Sequence, residues 1–170
     1  MSRHVTQRLL QISDPHLFAD PEGDLLGQRT RLTLEGVLNL AGAKFGAADR
    51  VLLTGDLTQD ASPAAYRYLA ERCGRLGLPC HALPGNHDDP QEMARSLGAG
   101  PIDMPHAVDC DPWRLVLLDS TLAGKRGGIW PRTRCAAWPR PWPPGPRRRP
   151  CWPCTISQCQ WAVPGWMRSA

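Results

Sequence analysis

Three times in its front half the chain runs from a short apolar stretch directly into a cluster of acidic, imidazole and amide side chains. Arg8-Leu9-Leu10-Gln11-Ile12-Ser13 ends at Asp14-Pro15-His16. Val51-Leu52-Leu53-Thr54 ends at Gly55-Asp56-Leu57-Thr58-Gln59-Asp60, and Cys80-His81-Ala82-Leu83 ends at Pro84-Gly85-Asn86-His87-Asp88. Apolar runs this short, closed by turn residues, read as buried strands. The text between them has a helical period. Thr30 to about Phe45 carries Leu34, Val37, Leu38 and Ala41 at helical spacing. Ser62 can cap a helix whose first position is Pro63, with Tyr66, Leu69, Ala70 and Cys73 facing inward and a stop near Gly77. A short helix from Pro90 to Leu97 and a fourth strand at Leu115-Val116-Leu117-Leu118, ending at Asp119, complete the pattern. Strand and helix alternate, so the expected class is α/β with a mostly parallel sheet. In such a sheet the strands deliver their carboxyl ends to one edge, where ligands bind.

The three clusters then meet, and their chemistry suits a metal site. Oxygen donors mixed with imidazole fit Mn, Fe or Zn ions better than an all-oxygen calcium site. Asp14 and His16 stand two apart, so a local bend lets a carboxylate and an imidazole hold one ion. Asp56 follows a glycine that permits a sharp turn at the strand end, and its two oxygens could bridge two ions about 3.5 to 4 Å apart. Asn86 offers a neutral amide oxygen to a second ion, and His87 would face whatever the ions bind, with a proton or hydrogen bond to give to a phosphate ester. Each piece has an ordinary reading too. Asp-x-His occurs by chance on surfaces, Gly-Asp is commonly only a turn, and Asn-His can form an asparagine turn. Their order, each behind an apolar strand, is what favours the metal site.

Asp14-Pro15-His16, Gly55-Asp56 and Gly85-Asn86-His87-Asp88 resemble the first three motifs of the calcineurin-like metallophosphoesterases, and the text around them is similar to the bacterial 3′,5′-cyclic-AMP phosphodiesterase branch. The likeness covers about residues 6 to 125, with Leu115-Val116-Leu117-Leu118-Asp119-Ser120 similar to the strand that follows in those enzymes. It implies an α/β/β/α sandwich, of which this chain holds the N-terminal half, and a pair of divalent ions of Fe, Mn or Zn type. It implies Asp14 and His16 on one ion, Asp56 bridging, Asn86 on the other, and His87 at the phosphate near the leaving oxygen. The implied reaction opens a small cyclic nucleotide to its 5′-nucleotide. Asp60 and Asp88 are expected to hold loops or hydrogen-bond behind the ligands. Another phosphoesterase of the same fold, a nuclease or a lipid-precursor hydrolase, would carry the same motifs.

The family completes its site with a later histidine and then a Gly-His-x-His motif, but no histidine follows His106 in this chain. His106 itself, in Met104-Pro105-His106-Ala107, is expected to be structural or at the surface. Residues 126–170 have a different composition. They hold six of the seven Trp, nine of the eighteen Pro, four of the seven Cys, eight Arg and no acid. Proline at this density rules out a helix or central strand through Trp138-Pro139-Arg140-Pro141-Trp142-Pro143-Pro144. One choice of codons for Cys154 to Ala170, read a base out of frame, gives His-His-Gln-Pro-Val-Pro-Val-Gly-Ser-Ala, close to the family's missing segment. The expectation is a lost base near Lys125, a metallophosphoesterase portion at residues 1–125, an irregular or disordered tail at 126–170, and a truncated, inactive, aggregation-prone product with a bare sheet face and open edge.

Charge follows the same division. The whole chain is +4, yet residues 1–125 hold 12 basic and 16 acidic side chains. The basic character therefore belongs to the tail, and a nucleic-acid partner is not expected of the front half. Arg147-Arg148-Arg149 among Trp and Pro leaves a basic-tail binding module as the non-enzyme alternative. Cys151 and Cys154 have zinc-knuckle spacing, with Cys135 and Cys159 as partners, but one pair without a second is a weak signal. No run approaches the roughly 18 apolar residues of a membrane span, and Met1-Ser2-Arg3-His4 leads into no signal-peptide core. No membrane partner is expected, and the chain is read as cytoplasmic. Its seven Cys are then no disulfide framework, and Cys73 and Cys80 are core fillers. Oligomeric state is not legible.

Overall fold

A computed structural model describes residues 6–45, 48–98, 100–110, 113–121 and 149–151. In chain order the elements are β1 (Leu9–Ile12), β2 (Asp24–Leu25), β3 (Gln28–Arg29), α1 (Thr30–Phe45), β4 (Arg50–Thr54), α2 (Pro63–Leu76), β5 (Cys80–Leu83), α3 (Pro90–Leu97), β6 (Ile102–Asp103), β7 (Ala107–Cys110), β8 (Trp113–Val116) and β9 (Arg149–Cys151). The central sheet has the order β1-β4-β5-β6 and is parallel at every pairing. Antiparallel β7 and β8 begin a second sheet.

Local chemistry sets the helix ends. Ser62 accepts the Ala65 N–H at 3.3 Å. Pro63 opens α2, where its missing N–H costs nothing, and Gly77 closes it in the left-handed region at φ 64. Asp89 caps α3 by accepting from Gln91 and Glu92.

Alternation along the strands sorts side chains into two cores. Val51, Leu53, Cys80 and Ala82 join Tyr66, Leu69, Met93 and Leu97, so the helices cover one face of the central sheet. Leu52 and Leu83 point the other way and pack with Cys110, Leu115 and Leu117. The layers therefore run helix, sheet, sheet. Each fully buried Leu or Val contributes roughly 1.5–3 kcal/mol of transfer free energy. Cys73 and Cys80 are buried free thiols, as expected of core fillers.

Four expectations change. The first strand is not buried throughout, because β1 lies at the sheet edge. There Leu9 is 36% exposed and only Ile12 is buried. On α1, Leu34 and Leu38 face inward but Val37 is exposed. The fourth strand expected at Leu115–Leu118 does not join the central sheet, where the two-residue β6 pairs with β5. Leu115 and Val116 instead belong to β8 in the second sheet. Finally, the face carrying Leu52 and Leu83 is not bare, since β7 and β8 cover it.

Within the tail, Arg149–Cys151 pairs parallel with β8 at the edge of the second sheet, a position that tolerates proline better than a central strand does. The expectations for Trp138 to Pro144, for Cys135, Cys154 and Cys159, and for Arg147 and Arg148 lie outside the described residues.

Candidate metal centre

β1, β4 and β5 are neighbours and parallel, so the turns that follow them open at one edge. The first two run on together as a backbone ladder. Asp14 N donates to Gly55 O at 3.1 Å, His16 N to Asp56 O at 3.0 Å, Leu17 N to Leu57 O at 3.1 Å, and Gln59 N to Leu17 O at 2.8 Å. Asp14, His16 and Asp56 all sit at positive φ, 53°, 42° and 47°. Such backbone is uncommon outside glycine and costs of order 1–3 kcal/mol per residue, strain that concentrates at functional sites. Gly55, at φ 90°, supplies the turn expected before Asp56.

The third turn presses against the second. A Cβ on Gly85 would stand 2.1 Å from both the amide nitrogen and Oδ1 of Asp56, so only glycine fits. The His87 N–H donates to Asp56 Oδ1 at 3.0 Å. The His16 and His87 rings meet edge to face, with centroids 5.1 Å apart.

Asp14, His16, Asp56 and His87 are thus brought together. His16 Nε2 lies 3.9 Å from Asp14 Oδ1 and 3.8 Å from Asp56 Oδ2. Both gaps are too wide for a hydrogen bond, yet within the roughly 4.2 Å that two ligands about 2.1 Å from one ion can span. Donor atoms of His16, Asp56 and His87 all lie within 4.8 Å of one another, the one such group of His, Cys, Asp or Glu among the described residues. Asp56 is sealed from water, its side chain 3% exposed against 38% for Asp14. A buried carboxylate needs compensating positive charge, which the donor set around Asp56 Oδ2 could recruit as a cation. Asn86 is half-buried in the turn between Gly85 and His87. His106 is exposed, as expected, and its carbonyl receives the Leu117 N–H at 2.9 Å.

Two further acids hold the loops. Asp60 accepts the Ala19 N–H at 2.8 Å and the Ser62 N–H at 3.1 Å. Burial raises its carboxyl, but these donors outweigh burial and leave it below the ordinary range. Asp88 Oδ2 accepts from Gly85 N at 2.8 Å and Leu57 N at 3.0 Å, while Oδ1 accepts from Thr58 N at 3.1 Å and the Tyr66 hydroxyl at 3.0 Å. Burial pushes the Asp88 carboxyl up against the pull of those N–H groups. Sequence reasoning placed Tyr66 only in the core and missed its polar tip. The available signal was a tyrosine at an inward helical position, since a buried phenol seeks a hydrogen-bond partner.

Comparison with known proteins agrees with the motifs. The profile of the family described as calcineurin-like phosphoesterase matches residues 7–137. The chain is 40% identical over 118 residues to a 3′,5′-cyclic adenosine monophosphate phosphodiesterase CpdA of Vibrio vulnificus, covering 69% of this chain and 43% of that protein. It is 39% identical over 118 residues to the Escherichia coli K12 protein of the same name, with the same coverage. With the Pseudomonas aeruginosa protein of that name it shares 35% identity over 131 residues, 73% of this chain and 48% of the relative. The chain spans less than half the length of these curated relatives.

Proposed function

The chain belongs to the calcineurin-like phosphoesterase family, and on that premise we propose that it is the ion-binding portion of a phosphodiesterase that opens 3′,5′-cyclic AMP to 5′-AMP. The observation that carries this is the convergence of His16, Asp56 and His87 from three strand ends, with Asp14 beside them. The names of the relatives support the cyclic nucleotide as substrate.

In this reading Asp14 and His16 would hold one divalent ion, Asn86 would help hold a second, and Asp56 would serve both. Ions held there supply Lewis acidity that offsets the charge building on the phosphoryl oxygens. The protein's own part is positional. Asp56 is fixed by the His87 N–H and by the wall of Gly85, which keeps its free oxygen toward His16. Asn86 and His87 would touch the substrate phosphate; a water oxygen bonds to phosphorus as the bond from phosphorus to the 3′ oxygen breaks, and the His87 imidazole gives a proton to that leaving oxygen and recovers one from the water. The small cyclic nucleotide is the partner, and the cytoplasm is the compartment this reading assigns.

Residues 1–125 are proposed as the family portion and 126–170 as an out-of-frame tail. The histidine ligands that the resemblance implies have no counterpart after His106. A polypeptide of these 170 residues alone would leave each ion short of ligands, and its turnover is expected to be weak or absent. The experiment is hydrolysis of cyclic AMP with Mn ions by the purified chain beside a frame-restored version. Bis(p-nitrophenyl) phosphate and single-stranded DNA serve as competing substrates. Activity on cyclic AMP confined to the restored version supports the reading. Equal activity in both refutes the truncation, and preference for DNA refutes the substrate.

A further inference from the structure

We propose that Tyr66 is a positioning residue for this ion site, acting through Asp88; the inference rests on the two-ion reading above. Tyr66 projects from α2 into the core and is fully buried. Its hydroxyl donates to Asp88 Oδ1 at 3.0 Å and accepts the Asp89 N–H at 3.1 Å. The same carboxylate gathers the N–H groups of Leu57 and Thr58, which directly follow Asp56, and of Gly85, which opens the Gly85-Asn86-His87 turn. One side chain thus fastens the turn after β4 to the turn after β5, and the phenol of Tyr66 fastens that side chain to the helical layer.

The geometry says what losing the hydroxyl does. Phenylalanine fills the same volume, so the core packing is kept. Asp88 loses its tie to α2, and the N–H of Asp89, the residue that caps α3, loses its acceptor. Leu57 is covalently next to Asp56, and Asp88 stands two residues from Asn86, so slack in this clamp reaches both candidate ligands within two residues. Groups that orient metal ligands from behind are worth roughly 10–100-fold in metal affinity.

The test is Mn ion titration of the full chain, followed by the electron paramagnetic resonance of free Mn, with hydrogen exchange of the metal-free protein alongside. Tyr66→Phe is expected to weaken Mn binding by about tenfold or more and to speed exchange at the Gly85, Leu57 and Thr58 amides. Asp88→Asn is expected to do the same, and the double variant should lose little beyond either single change. Leu69→Ala, on the same helix and buried but with no hydrogen-bonding group to offer the clamp, should lower the melting temperature more while keeping native affinity. Native affinity in Tyr66→Phe, or an equal loss in Leu69→Ala, overturns the inference alone. No Mn binding by the native chain overturns the two-ion reading and this inference with it.

Discussion

The buried carboxylate of Asp56 accepts the backbone N–H of His87 at 3.0 Å, so the turn after β5 is fixed by the side chain that ends β4. The candidate site is therefore one object rather than three independent loops, and changes in one turn should be felt in the others.

Gly85 is the tightest point of that object. Gly85→Ala should cost about 1–3 kcal/mol through overpacking and weaken Mn binding, because the new methyl must displace Asp56. Gly42 provides the contrast. It lies within α1, and an added methyl there would meet no atom within 4 Å, so Gly42→Ala should stabilise by about 0.5–1 kcal/mol. Urea unfolding of the two variants checks both signs.

The second sheet is expected to carry stability as well as shape. Leu115 is buried among Leu52, Leu83 and Leu117, so Leu115→Ala should cost about 2–5 kcal/mol. A loss near zero, measured by the same unfolding, would mean that β7 and β8 do not cover the central sheet.

Alkaline pH should loosen the α1–α2 contact. Burial, and then the hydrogen bond that Tyr68 donates to Glu35 at 2.6 Å, push the Tyr68 phenol from 10.0 up to about 12. A group with a raised folded pKa contributes stability that is complete below the unfolded value and is lost as pH climbs through the folded one. Stability should therefore decline between pH 10.0 and about 12. Tyr68→Phe should make that decline shallower in unfolding midpoints measured across the range.

Acid should act at Asp60 with the opposite sign. Its folded value lies below the ordinary 3.8 because the Ala19 and Ser62 donors outweigh burial. Its contribution is present above 3.8 and is lost as pH falls beneath it. Asp60→Asn should flatten this small acid-side fall in the same titration.

What the sequence made legible was whatever local chemistry dictates. Ser62, Pro63 and Gly77 mark the ends of α2 because caps act within one turn. Asp14, Asp56 and His87 could be grouped because parallel neighbours must release their ends at one edge. The two-residue strands β2, β3 and β6 were not legible, since an alternating pattern needs more positions than they have. β1 looked buried because its composition is that of an interior strand, and only the sheet order puts it at the edge. β8 carries an apolar run that fits either sheet, so its neighbour β7 decided the matter. That Tyr66 would hydrogen-bond was legible from a phenol at an inward helical position, but its partners Asp88 and Asp89 were not, because only the fold brings α2 against the turn after β5.

The central claim is that side chains from three successive strand ends converge around a pair of divalent ions, and nuclear magnetic resonance of the imidazole protons tests it most directly. Substoichiometric Mn ions should broaden the ring signals of His16 and His87 together in the native chain, and Asp56→Asn, still folded, should lose that effect. Sharp His16 and His87 signals in the native chain, or broadening that survives Asp56→Asn unchanged, would contradict the account.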